Sequence, residues 1–141
     1  LDKATDHTGE SSVAILFCPI TSRFETDISA ALSDTAGKTY LQRHKVIVVA
    51  MHHTFDPDYT LPNSRVAMAP IALLVDCLFY EGEGLLRCDR NKKAYQAVRK
   101  EVITRYTLFS LKNEKSALWA WTSHTGHGNL LLCMCMTIKF D

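Results

Sequence analysis

The chain has almost no net charge: 16 Lys and Arg stand against 15 Asp and Glu, a formal charge of +1. Without a global basic excess there is no general electrostatic case for binding nucleic acid or an anionic membrane surface. No apolar run is long enough to cross a bilayer, and no secretory-type apolar stretch opens the sequence. The five cysteines, Cys18, Cys77, Cys88, Cys133 and Cys135, have neither the even count nor the regular spacing of a disulfide framework. Cys18 and Cys77 fall inside apolar runs, where a thiol acts as a small hydrophobe. That usage fits a reducing compartment and a cytoplasmic location. Internal repeats and low-complexity tracts are missing as well. So is any Gly-rich phosphate loop of the dinucleotide or P-loop type, and no cofactor is implied.

What is present fits one globular domain. A chain of 141 residues, 47% hydrophobic, is long enough to bury a real core. Charge is uneven along it. Asp2, Asp6, Glu10, Glu25, Asp27 and Asp34 make the first part acidic, whereas Arg87, Arg90, Lys92, Lys93, Arg99, Lys100 and Arg105 make a later segment basic. A solvated helix face is the simpler account of that basic run, because Tyr95 and Tyr106, which base stacking would need, fall on its inner stripe.

The most informative stretch is Val13 to Leu32. Val13 to Cys18 is short and continuously apolar, as a strand covered on both faces would be, and Pro19 is expected to end it. Ser22 and Glu25 have the spacing of a capping box. Phe24, Ile28, Ala31 and Leu32 then recur at helical spacing, Asp27 suits the positive end of the helix dipole, and Gly37 is a natural stop. Val46 to Met51 is a second buried strand. Strand, helix and strand in that order predict a parallel βαβ unit, with the Thr21-Ser22-Arg23 turn and the His52-His53-Thr54 segment on one rim.

Beyond this unit, 53–64 carries Pro57, Pro62, Asp56, Asp58 and Asn63 and reads as a loop. Leu74 to Tyr80 reads as a strand whose one charge is Asp76. Glu81 to Gly84 is a turn, and Leu85 to Cys88 a short extended piece. Asn91 is the expected cap of a second helix with Tyr95, Val98, Val102 and Tyr106 on its inner side. The expected organisation is a flexible lead-in at 1–12, an α/β domain at 13–106, and a tail at 107–141 with room for one strand near Asn129 to Phe140.

Several unusual words occur here in one order. They are Ile15-Leu-Phe-Cys-Pro-Ile-Thr-Ser-Arg23, Thr26-Asp-Ile-Ser-Ala-Ala-Leu32, Val48-Val-Ala-Met-His-His-Thr-Phe-Asp-Pro-Asp-Tyr59, Pro62-Asn-Ser64, Val75-Asp-Cys-Leu-Phe-Tyr-Glu81 and Gly84-Leu-Leu-Arg-Cys-Asp-Arg-Asn91. Across about 13–105 the chain resembles an uncharacterised family of small α/β proteins from bony fish. The resemblance implies a small, mainly parallel sheet flanked by helices, in a flavodoxin-like or TIR-like layout. Members carry a further strand and helix upstream. It therefore implies that the first βα unit is missing, that one sheet edge is open, and that self-association can follow. The resemblance implies no activity, and the tail from about Leu108 matches nothing in the family.

Five candidate sites follow from the residues. In open parallel sheets, ligands sit beyond the carboxyl ends of the strands, and a helix starting there aims N–H groups at an anion. Thr21, Ser22 and Arg23, with Thr54, are thus candidate ligand-binding residues for a phosphate or ribose; capping by Ser22 is the simpler role. Adjacent histidines on a strand point to opposite faces, so His52 and His53 do not share a metal. One of them, paired with Asp56, has the makings of an acid–base couple. Glu25 and Asp27 lie where deoxyribosyltransferase-like and TIR-like domains place a carboxylate near a nucleotide, and N-glycosidic cleavage needs such a group. Cys133 and Cys135 with His124 and His127 are a weak metal set, one residue short of common zinc spacing, and no metal is assigned. The basic helix is the fifth. Taken together, these residues favour a protein-interaction or small-ligand-binding module. The alternative is a nucleotide- or nucleoside-processing enzyme using Asp27, His52, His53 and Asp56.

Overall fold

The computed structural model describes residues 12–34, 38, 41, 42, 44–61, 71–113, 117–125 and 132–140, with side chains as far as Tyr106. The lead-in, Gly37, residues 62–70 and residues 126–128 lie outside the described residues.

Strand β1 spans Ser12–Ile20, helix α1 Phe24–Ser33, β2 Lys45–His53, β3 Leu73–Tyr80 and β4 Gly84–Leu85. Helix α2 runs Asp89–Asn113 and is followed by β5, Ala117–Thr125, and β6, Leu132–Phe140. All six strands join one sheet in the order β4-β3-β2-β1-β6-β5. The β1–β2 and β2–β3 pairs are parallel, so the expected βαβ unit is present. The four-stranded part from β4 to β1 is mainly parallel, as expected, and β5 and β6 add an antiparallel pair to it.

Two apolar layers hold the sheet. The even-numbered residues of the first two strands, Ala14, Leu16 and Cys18 with Val46, Val48 and Ala50, face α1 and close over Ile28. The odd-numbered Val13, Ile15, Ile47 and Val49, with Val75 and Cys77 of β3, face α2 and close over Ala94. Strands buried on both faces must be apolar at every position, which accounts for the continuous runs at 13–18 and 46–51.

Four local expectations change. Strand β1 does not stop at Pro19 but runs on to Ile20, with Pro19 paired to Met51. Proline lacks a donor, and it is accommodated because pairing of β1 with β6 has already stopped at Phe17. The edge of β1 expected to be open is occupied by β6 in the register Ser12↔Lys139 to Phe17↔Met134. The outer edge on that side is therefore β5. In α2, Tyr95 is 70% exposed and Ala94 takes the inward position; Val98, Val102 and Tyr106 pack inward as expected. Asn91 does not cap α2, which starts at Asp89. Its side chain instead extends the β3 ladder: Oδ1 accepts the Leu78 N–H at 2.7 Å, and Nδ2 donates to the carbonyls of Leu78 at 2.7 Å and Leu86 at 2.8 Å. The β3–β4 turn needs glycine, since Gly82 and Gly84 have φ of 84° and 76°.

Candidate functional site at the carboxyl-end rim

The parallel strands β1, β2 and β3 end at one rim, which brings together the Thr21-Ser22-Arg23 turn, His52 to Asp58, and Phe79 to Glu81. These are the two segments expected to meet, plus a third.

The turn after β1 is organised by Asp27. This carboxylate is 4% exposed, and its Oδ2 accepts the N–H groups of Thr21 and Ser22, both at 2.8 Å. Its Oδ1 accepts the Ser22 hydroxyl at 2.9 Å. The capping box is not formed: Arg23 is the N-cap residue and makes no side-chain cap bond, and Glu25 is exposed. The reason is register. The helix begins at Phe24, so Asp27 lies one turn in on the buried side, where its short side chain reaches back to the turn. Thr21 and Ser22 thus spend on Asp27 the donors expected for a phosphate. Arg23 is solvent-exposed beside them.

The adjacent histidines do face opposite ways. His52 lies on the α1 face, 7% exposed, and stacks on Phe24 with centroids 6.1 Å apart and planes 7° apart. Its Nε2 is 2.9 Å from Oδ1 of Asp76, and both side chains are buried. The acid partner expected for it was Asp56, and the structure puts Asp76 there instead. The cause is the pleat: β2 and β3 run parallel with His52 beside Leu78, so the same-face neighbour one step back is Asp76. Asp56 lies in the exposed loop, where its Oδ1 accepts the Asp58 N–H at 2.9 Å and its own N–H donates to Thr54 Oγ1 at 3.1 Å. Thr54 N–H donates to the Phe79 carbonyl at 2.9 Å, which fixes the start of the loop. Asp56 and Thr54 are thereby engaged in turn geometry of the Asx and Ser/Thr type.

His53 lies on the α2 side with its ring against Phe79 and Tyr80, both centroids at 5.3 Å. Phe55 packs edge-on to Tyr80 at 6.0 Å. Phe55, Tyr59 and Tyr80 are 76%, 41% and 37% exposed. Phe55, Tyr80, His53 and Phe79 therefore form an aromatic cluster open to solvent at the rim, which sequence reasoning missed apart from His53. Its signal was present: Phe55 in a polar loop and Tyr80 at a strand end. The other missed residue is Asp76, a lone charge in an apolar strand, which must find a partner when buried.

Cys77, on the α2 face of β3, has its thiol pushed up to about 11, first by burial and then by the charge of Asp76 and by Cys88. It is a neutral thiol at ordinary pH and a poor nucleophile. No group of three metal-ligating side chains occurs among the described residues. The backbone sets His124 opposite Cys133 in the β5–β6 pair; the side chains of Cys133, Cys135 and His124, and all of His127, lie outside the described residues. Among the described residues no helix is long and apolar enough to cross a membrane.

Comparison with family models, with curated proteins and with solved structures returns no match. The chemistry of the rim is accordingly the guide to its role.

Proposed function

We propose that the chain is a binding module that takes a planar, nucleotide-like ligand at the carboxyl-end rim. The observation that carries this is the exposed aromatic cluster of Phe55 and Tyr80 backed by His53. Exposed rings held by their neighbours offer stacking area at low entropic cost, and contiguous exposed apolar surface marks interaction sites. The same anchors suit a protein partner, since Tyr and other aromatic residues dominate interface energetics. A flavodoxin-like or TIR-like layout belongs to the same proposal. Three parallel strands with a helix on each face support it, and the antiparallel β6–β5 pair departs from it. Membership of the bony-fish family is part of the proposal too, resting on the motifs at 15–91.

A nucleoside-processing enzyme is the second reading, favoured by the buried His52–Asp76 pair, because a histidine oriented by a carboxylate is a common acid–base arrangement. Against it, Asp27 is enclosed by its three structural donors and Phe24 covers the His52 ring. A thermal-shift screen of nucleotides and nucleosides separates the two, with free-base release followed in parallel. The binding reading expects a rise in Tm from a nucleotide-like ligand. That rise should vanish in the Phe55→Ala, Tyr80→Ala double variant, with no base released. Release of free base that stops in His52→Ala would favour the enzyme. A Tm rise that persists in the double variant would place the ligand elsewhere and end the proposal. If no compound raises Tm, the protein-partner reading takes its place.

A further inference from the structure

Among the described residues, the layer between the sheet and α2 is not filled along one flank of the helix. A cavity of about 590 Å³ runs along one flank of α2, walled by Ile15, Phe17, Val49, Cys77, Val98 and Val102. Ligand sites are typically about 300–1,000 Å³, mostly apolar, with a few placed polar groups. The polar groups here are few and only some are available. Asn91 has both amide hydrogens committed, to Leu78 and Leu86, and its oxygen holds the Leu78 N–H. Cys77 is a neutral thiol. What remains is Tyr95 and Arg99, one turn apart on the same flank of α2 and both exposed at the mouth. Arg99 forms no ion pair among the described residues; the nearby pair on this helix is Arg105 with Glu101, at 2.9 Å.

We infer that this cavity binds a small amphiphile with an apolar body and one anionic head, of the medium-chain aliphatic carboxylate type. The body lies against the β1 and β2 side chains and the inner stripe of α2. The carboxylate meets the Arg99 guanidinium, a cation that only donates, and accepts from the Tyr95 hydroxyl; the full positive charge of Arg99 favours an anionic head over a neutral or cationic one. Charge complementarity thus selects the head and the walls select the tail. The site is independent of the aromatic rim, so loss of one reading leaves the other standing.

The test uses the 141-residue chain and three ten-carbon probes: decanoate, decanol and decyltrimethylammonium. Calorimetric titration below the micellar concentration of each is the readout. Decanoate is expected to bind one per chain, decanol about tenfold more weakly, and the ammonium not at all. Arg99→Gln should weaken decanoate by about tenfold and leave decanol unchanged. Amide shifts on adding decanoate should centre on Val49, Cys77, Val98 and Arg99, a localisation that does not depend on any variant folding. Three results would each overturn the inference: no decanoate binding at millimolar concentration, equal affinity in Arg99→Gln, or shifts centred on Phe55 and Tyr80.

Discussion

The two faces of the sheet are built from the same strands and end in opposite chemistry. On the α1 face, Ala14, Leu16, Val46 and Val48 pack over Ile28, and toward the rim the layer turns polar with Asp27, His52 and Asp76. Every one of those polar groups has a partner, and no buried side-chain nitrogen or oxygen among the described residues is left without one. On the α2 face the layer stays apolar, with Ala94, Val98 and Val102 turned inward, and among the described residues it leaves a cavity beside the helix. A face completed by hydrogen bonds depends on direction and tolerates little change. A face completed by contact area tolerates occupancy by something else. The first suits a rigid support for the rim, and the second suits a guest.

The comparison breaks most visibly at Asp76. Asp76→Ala leaves the His52 imidazole buried without its acceptor. Leaving a buried hydrogen-bonding group without its partner costs up to about 3 kcal/mol. Urea denaturation should show that loss, and a cost under about 1 kcal/mol would mean the α1 face is not held by this pair. Asp27→Ala comes next. It strands two backbone N–H groups and a hydroxyl that the carboxylate now accepts, at about 2–3 kcal/mol. Hydrogen exchange at Thr21 and Ser22 should rise sharply, while Val49 and Cys77 amides on the other face should be unchanged. If both faces loosen together, they are one cooperative unit rather than two.

The smallest effect is on the α2 face and is read through pH. The folded protein holds the Cys77 proton up to about 11, whereas an ordinary thiol has a pKa of 9.0. The unfolded chain therefore releases that proton first. Stability from this group is intact below about pH 9 and declines as pH rises toward 11. In Cys77→Val that part of the decline should be absent, which a comparison of denaturation midpoints at pH 8 and pH 10.5 would detect. An identical slope in the variant would remove Cys77 from the account of the α2 face.

Much of this was legible in the residues. The apolar runs at Val13 to Cys18 and Val46 to Met51 announce strands covered on both faces, and the pleat alone sends His52 and His53 to opposite sides. Phe24, Ile28, Ala31 and Leu32 mark α1 by their spacing. What stayed hidden depended on distance along the chain. Asp76 is 24 residues from His52, and only the parallel register of β2 and β3 brings them together. The choice of Asp27 over Glu25 turned on where the first helical residue falls, a shift of one or two positions that capping patterns do not resolve. Tyr95 against Ala94 is the same kind of question, since neighbouring positions on a helix differ by about 100° of arc and the sheet decides which is inside. The aromatic rim was missed because its members come from a loop and a strand end that share no local pattern.

The placement of β6 beside β1 has a consequence for how the chain assembles. Ser12 pairs with Lys139, so the sheet closes around a separation of more than a hundred residues. Contacts that far apart in sequence carry a high loop-closure cost and slow the search for the native arrangement. During synthesis β1, α1, β2 and β3 emerge before β6 and can form their parallel unit, while the outer ladder of β1 waits. Until Leu132 to Phe140 is made and docks, that ladder is a template any extended segment can join. Docking of β6 therefore ends the exposure of the β1 ladder and moves the open edge on that side out to β5.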